Sequence, residues 1–327
     1  MNVWASTLMD IEYQDATIPT NGTHLGQDIT TKLMLTSLSF VTSSSSVVDN
    51  VYAIFQADRD ILEYNGAHLD VLAGVFDSRG FFYDNSVSGA ITSNTTWSGY
   101  ILVTGDVTVN SGVTLTIDPG TFIFFKSGKK LIINGTITTI QSLSINSINR
   151  IIFDRSGSSG TWGPIIFDGS GASNSVLDNV EIKYASDIQC LNGADVTISN
   201  SIIDNSTQGI YIYNSQPRIL NNQIIEPTKN GIYGEATGKR PLIQGNVITK
   251  SDSNQQYKQF QGIIFGNSTK PFITHNDISG FYHAVYLGGG TYTFFTDDHI
   301  VTSDPNNRLR DSRYGLNTGW GSTTSCW

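Results

Sequence analysis

Apolar residues in the middle of the chain recur in a fixed frame. Pro217-Arg218-Ile219-Leu220-Asn221-Asn222-Gln223-Ile224, Pro241-Leu242-Ile243-Gln244-Gly245-Asn246-Val247-Ile248 and Pro271-Phe272-Ile273-Thr274-His275-Asn276-Asp277-Ile278 superpose without gaps as P-x-I-x-x-N-x-I. Two looser copies precede them, at Leu177-Asp178-Asn179-Val180-Glu181-Ile182 and Ile198-Ser199-Asn200-Ser201-Ile202-Ile203. The aligned positions Val180, Ser201, Asn222, Asn246 and Asn276 are separated by 21, 21, 24 and 30 residues. A period in the low twenties that lengthens only by insertion predicts stacked coils, because each coil must return to one place while loops swell outward.

Each copy has a second apolar half: Asp187-Ile188-Gln189-Cys190, Gly209-Ile210-Tyr211-Ile212, Gly231-Ile232-Tyr233-Gly234, Gly262-Ile263-Ile264-Phe265 and Ala284-Val285-Tyr286-Leu287. Period-two alternation makes these strands, with Ile219, Asn222 and Ile224 inward on one wall and Ile210, Ile212, Val285 and Leu287 on another. A leucine-rich horseshoe needs a leucine signature and a helical return, and neither is present. The predicted class is all-β, a right-handed parallel β-helix solenoid.

An inward asparagine without a partner costs roughly 1–3 kcal/mol. Stacked at about 4.8 Å, Asn222, Asn246 and Asn276 satisfy one another, so they are expected to form a structural ladder. Pro217, Pro241 and Pro271 mark corners, where a missing N–H costs little.

Carried by these repeats, the chain resembles the pectin-lyase-like superfamily of right-handed β-helix proteins, over roughly residues 97–295. Upstream, Val113-Thr114-Leu115-Thr116-Ile117, Leu131-Ile132-Ile133-Asn134-Gly135-Thr136-Ile137 and Gly163-Pro164-Ile165-Ile166-Phe167 look like first rungs of the secreted bacterial type. The expected division is a β-rich N-terminal segment or cap over 1–95, the solenoid over 96–295 and a C-terminal cap or tail over 296–327. In the first segment, Lys32-Leu33-Met34-Leu35 running on to Phe40, and Val51 to Phe55, read as strands, and Asp77-Ser78-Arg79-Gly80 as a hairpin turn. Solenoid ends are unpaired strand rows, and the terminal segments are expected to cover them. The insertion 251–260 is expected to bulge as a side loop.

Composition narrows the partners. Only 14% of residues are charged and the net charge is −9, which opposes phosphate or anionic lipid as a partner. No apolar run spans a bilayer, and Met1-Asn2-Val3-Trp4 does not open a signal peptide. An extracellular or cell-surface location follows from the resemblance. Of the two cysteines, Cys190 reads as a small buried hydrophobe, free unless the tail brings Cys326 to it.

The polygalacturonase motifs N-T-D and G-H-G do not occur, nor do the pectate-lyase signatures W-x-D-H and R-x-P-x-x-R. Glu181 and Asp204, outward on adjacent coils, are the candidate acid and base of a polysaccharide lyase or glycoside hydrolase, which needs carboxyls about 5–10 Å apart. Asp58-Arg59-Asp60 with Glu63, Asn65 and Gly66 resembles a calcium loop, but Leu62 stands where an oxygen ligand belongs. No cofactor is expected, and calcium has no motif. Tyr211, Tyr233 and Tyr286 share one outward column with Tyr213 on the same face, a surface on which sugar rings could stack. The leading expectation is a non-catalytic module for adhesion, contact with a polysaccharide or cell-surface glycan, or filament-like assembly through its ends. A lyase or hydrolase and a phage tail-spike-like receptor-binding protein are the alternatives.

Overall fold

A computed structural model describes residues 25, 27–60, 64, 66–82, 85–139, 150–251, 260–295, 308–310, 314–318 and 323–326. From Ser86 onward the described chain is a right-handed parallel β-helix: every strand pairing is parallel, and the strands fall into three columns. The first column holds ten strands, from Thr95–Trp97 to Thr323–Cys326. The second and third are joined because the long strand Tyr100–Val109 serves both, pairing with Phe122–Phe125 and then with Leu131–Ile133.

Register is held by stacks of like side chains. Ile198, Ile219, Ile243 and Ile273 align in the first column. Ile182, Ile203, Ile224, Ile248 and Ile278 align in the second, and Ile188, Ile210, Ile232, Ile263 and Val285 in the third. All are buried, each contributing about 1.5–3 kcal/mol through burial, and a one-residue slip would turn every one to solvent.

The corner between the first and second columns is built from two residues. Asn179, Asn200, Asn221, Gly245 and His275 take positive φ, from 51° to 70°, and the residue that follows points inward. Asn222 donates its backbone N–H (2.9 Å) and Nδ2 (3.0 Å) to Asn246 Oδ1. Asn246 does the same to Asn276 Oδ1, both at 2.9 Å. The chain of bonds extends down to Ser201, whose N–H reaches Asn222 Oδ1, and to Val180, whose N–H reaches Ser201 Oγ, both at 3.1 Å.

The N-terminal segment corrects the sequence reading, because it is helical. Helices α1 (Gln27–Ser37), α2 (Val47–Asp60) and α3 (Leu69–Ser78) replace the expected strands and hairpin. Val51, Ile54, Phe55 and Asp58 of α2, and Leu69, Leu72, Ala73 and Phe76 of α3, are buried at the three-and-four spacing of one helix face. The tetrapeptide taken for a turn ends α3: Phe81 N–H reaches Phe76 O and Gly80 N–H reaches Asp77 O, with Gly80 at φ +76°. Phe81 packs on Phe76 at 5.6 Å between ring centroids, completing a Schellman stop in which glycine takes the left-handed position.

These helices lie on the flank of the solenoid. Phe55 meets Tyr100, Phe122 and Phe124 at 5.8, 5.5 and 4.8 Å between centroids, forming with Leu102 and Ile152 a second core outside the coils. At the other end the ladders continue past residue 295. Arg308–Arg310, Tyr314–Thr318 and Thr323–Cys326 add one strand to each column, so the region expected as a cap contributes a coil. Cys190 is a buried free thiol; the side chain of Cys326 and most of the 251–260 insertion lie outside the described residues.

Candidate functional site

The outward side of the second column changes character along the axis. Tyr100, Phe122 and Ile152, buried under the helices, are followed in register by Glu181 and Ile202. The neighbouring row runs Leu102, Phe124, Asp154, and Lys183 then pairs with Asp204. Lys183 therefore stands between the two candidate carboxylates. Its Nζ lies 3.1 Å from Glu181 Oε1 and donates to Gly66 O at 3.2 Å, while Glu181 Oε2 lies 3.7 Å from Arg150. Arg155 holds Asp70 of α3 through Nε (3.0 Å) and Nη2 (2.9 Å) and lies over the Tyr184 ring at 3.6 Å. Glu181 and Asp204 thus belong to an ionic seam that fastens the helices to the flank.

Burial is the largest influence on this seam. It pushes Asp154 well above the usual carboxylate range against the attraction of Lys183, and raises Asp204 as well. Lys183 loses by burial, yet Glu181 and Asp154 together hold its pKa above the ordinary lysine value. Since Asp154 is raised in the folded state, its contribution to stability is complete below the unfolded carboxylate pKa and is lost as pH rises through the folded value. Asp154→Asn keeps an acceptor for the Arg155 N–H, which now donates to Asp154 Oδ1 at 2.7 Å. The variant is expected to gain stability over the parent between about pH 4.5 and pH 7.5, by about 1.4 kcal/mol for each unit of the raised pKa. Thermal melts at both pH values test it: an Asp154→Asn difference that is the same at each rejects the assignment.

The third column carries the aromatic surface. Gln189, Tyr211, Tyr233, Ile264 and Tyr286 align in register, and Tyr213 aligns with Glu235. Tyr211 and Tyr233 lie 5.4 Å apart between centroids at 35°, and Tyr213 is 46% exposed. Tyr286 is set apart by Ile264 and rests on His283 at 5.4 Å. The structure therefore gathers Tyr211, Tyr213 and Tyr233 into one patch and leaves Tyr286 two coils away.

Two polar groups beside the patch were missed in the sequence, although strand alternation marks them. Glu235, two residues after Tyr233, accepts the Tyr233 hydroxyl. Asp187 accepts Gln189 Nε2 at 3.1 Å. Burial, then Glu235, raises the phenols of Tyr211 and Tyr233. The patch is a partly buried aromatic platform with carboxyl groups at its margin, and the hydroxyls of Tyr211 and Tyr233 are held neutral at physiological pH.

Metal donors do not converge among the described residues, where no group of three or more His, Cys, Asp or Glu is found. The residues that resembled a calcium loop are held otherwise: Asp58 and Asp60 close helix α2, Asp58 bound by His68 Nδ1 at 2.6 Å and Asp60 by Arg59 Nε at 2.6 Å. Glu63 and Asn65 lie outside the described residues. His275 meets Thr274 Oγ1 at 2.7 Å, and Cys190 is sealed in the core with its thiol pushed up by burial. No described helix is long and apolar enough to cross a membrane.

Residues 103–324 match the family described as periplasmic copper-binding protein (NosD). No curated protein and no solved structure matches the chain.

Proposed function

The chain belongs to the NosD family of right-handed parallel β-helix proteins, and from that premise we infer that it is a non-catalytic module, working in the periplasm or outside the cell, that contacts glycans through its tyrosine patch. The observation that carries the reading is the pair Tyr211 and Tyr233, tilted over adjacent coils with Tyr213 exposed beside them. Aromatic faces take up the apolar face of a sugar ring, and hydroxyl and carboxylate groups at the edge orient its hydroxyls. Asp187 and Glu235 at the margin oppose a uronate, so the glycan class is neutral or amino-sugar.

Catalysis by Glu181 and Asp204 is disfavoured by the seam around them: Lys183 bonds one and is paired in register with the other, so the two serve as ion partners of a lysine rather than as a facing acid and base. Copper, named in the family description, does not fit the described donors. Among the described residues no three His, Cys, Asp or Glu converge, His68 is engaged by Asp58, His275 Nδ1 meets Thr274 Oγ1, and the Cys190 sulfur is buried in the core.

Tyr211→Ala and Tyr233→Ala are each expected to weaken retention on an insoluble neutral glycan by about tenfold, equivalent to about 1.4 kcal/mol, while circular dichroism stays that of the parent. Retention by both variants equal to that of the parent on every glycan bound would exclude the patch.

A further inference from the structure

Among the described residues the first coil is paired on one side only: strand Ser86–Ile91 pairs with Tyr100–Val109, and Thr95–Trp97 with Thr114–Ile117. Ser86, Ser88, Gly89, Ala90 and Thr96 are exposed. Val87 and Ile91, in register with the core residues Val103 and Val109, line the end of the solenoid interior and are only partly buried. The N-terminal segment, expected from the sequence as a β-rich cap over one end, instead places its described helices on the flank, against Phe122 and Phe124.

Natural edge strands are blunted by charge, proline or bulges. From Asn85 to Gly105 there is neither a charged residue nor a proline. The one irregularity, a register shift between Val87 and Gly89, falls where the strand passes from the second column to the third, so both columns stay open to pairing on either side of it.

We propose that this coil is an assembly edge that accepts the last coil of a second copy of the chain, extending the solenoid end to end. Arg308–Arg310, Tyr314–Thr318 and Thr323–Cys326 form that last coil and, among the described residues, pair on one side only. They run parallel to the strands before them and supply all three columns in the same order. A lone extended peptide would satisfy one column and leave the other two open. Charge on the accepting side does not oppose the contact, since the first coil carries none from Asn85 to Gly105. The contact joins unlike surfaces by a translation along the axis, so it does not close and produces linear assemblies.

The test is sedimentation of the full chain from about 1 to 200 µM, with electron microscopy of the upper range. Average mass is expected to rise with concentration for the parent and for Ile91→Leu. Ile91→Lys places an ammonium at the lip, where a monomer lets it reach water and a stacked coil buries it; it is expected to remain monomeric with the parent's circular dichroism. Because its last coil is intact, Ile91→Lys added at about one part in ten should shorten parent assemblies by terminating growth. A parent that stays monomeric throughout, or Ile91→Lys that assembles like the parent, overturns the proposal. Shortening that does not occur rejects the head-to-tail polarity and with it the last coil as the partner surface.

Discussion

Replacing Asn246 by leucine is expected to cost about 4 kcal/mol, the sum of the buried groups it orphans. Asn246 Oδ1 accepts the Asn222 N–H, and its Nδ2 donates to Ile219 O at 2.9 Å and Gln244 O at 3.1 Å. Leucine fills the volume but leaves the Asn222 N–H and the Ile219 carbonyl without these partners, at about 1–3 kcal/mol each. Asn246→Ser is the informative control. Ser201 already fills the equivalent rung, accepting the Val180 N–H and donating to Ser199 O, so serine should recover more than half of the loss. A solenoid is close to one-dimensional, and the damage should stay near its source. Hydrogen exchange should quicken at Ile224, Ile248 and Ile278 and remain that of the parent at Ile123 and Ile165. A urea midpoint for Asn246→Leu equal to the parent's would remove the ladder as a source of stability.

The ladder was legible because burial and polarity conflict at one recurring position, and stacking is the physical resolution open to a repeat. The preceding residue was harder to see. It takes positive φ in all five of these coils, as Asn at 179, 200 and 221, but Gly245 and His275 break the run so that no single letter marks the position throughout. The helices were missed for a different reason. Short runs such as Val51 to Phe55 satisfy alternation locally, and only the longer set Leu69, Leu72, Ala73 and Phe76 separates a helix from a strand. A second signal lay in the solenoid itself: Phe122-Ile123-Phe124-Phe125 is apolar on both faces and buried throughout, which requires a partner outside the coil. That partner is the helical segment.

At the candidate sites, what was legible followed the strand and what was not followed the register. Tyr211 and Tyr213 share a face by alternation alone, and the Tyr211–Tyr233 pair follows from the repeat. The relation of Glu181 to Asp204 depends on the alignment between coils, which places Asp204 opposite Lys183 and Glu181 opposite Ile202. Two positions along the strand separate a pair of facing acids from a salt-bridged seam.

Gly234→Val is expected to destabilise the protein by about 3 kcal/mol, the upper part of the range for overpacking a filled core. Gly234 is inward in the third column between Ile212 and Phe265, and a β-carbon built on it would overlap the Phe265 ring. Its φ is not positive, so the penalty is steric and owes nothing to backbone strain. The missing side chain is the space into which Phe265, buried at 0% exposure, lays its ring, a small residue on one rung admitting a large one on the next. The two positions should therefore be coupled. Phe265→Leu alone is expected to cost about 1–2 kcal/mol for the packing it removes. Combined with Gly234→Ala it should cost at least about 1 kcal/mol less than the sum of the single changes, because each relieves the other. Urea midpoints of the two single variants and the double variant measure the coupling directly, and strict additivity would show that the glycine serves some purpose other than housing the ring.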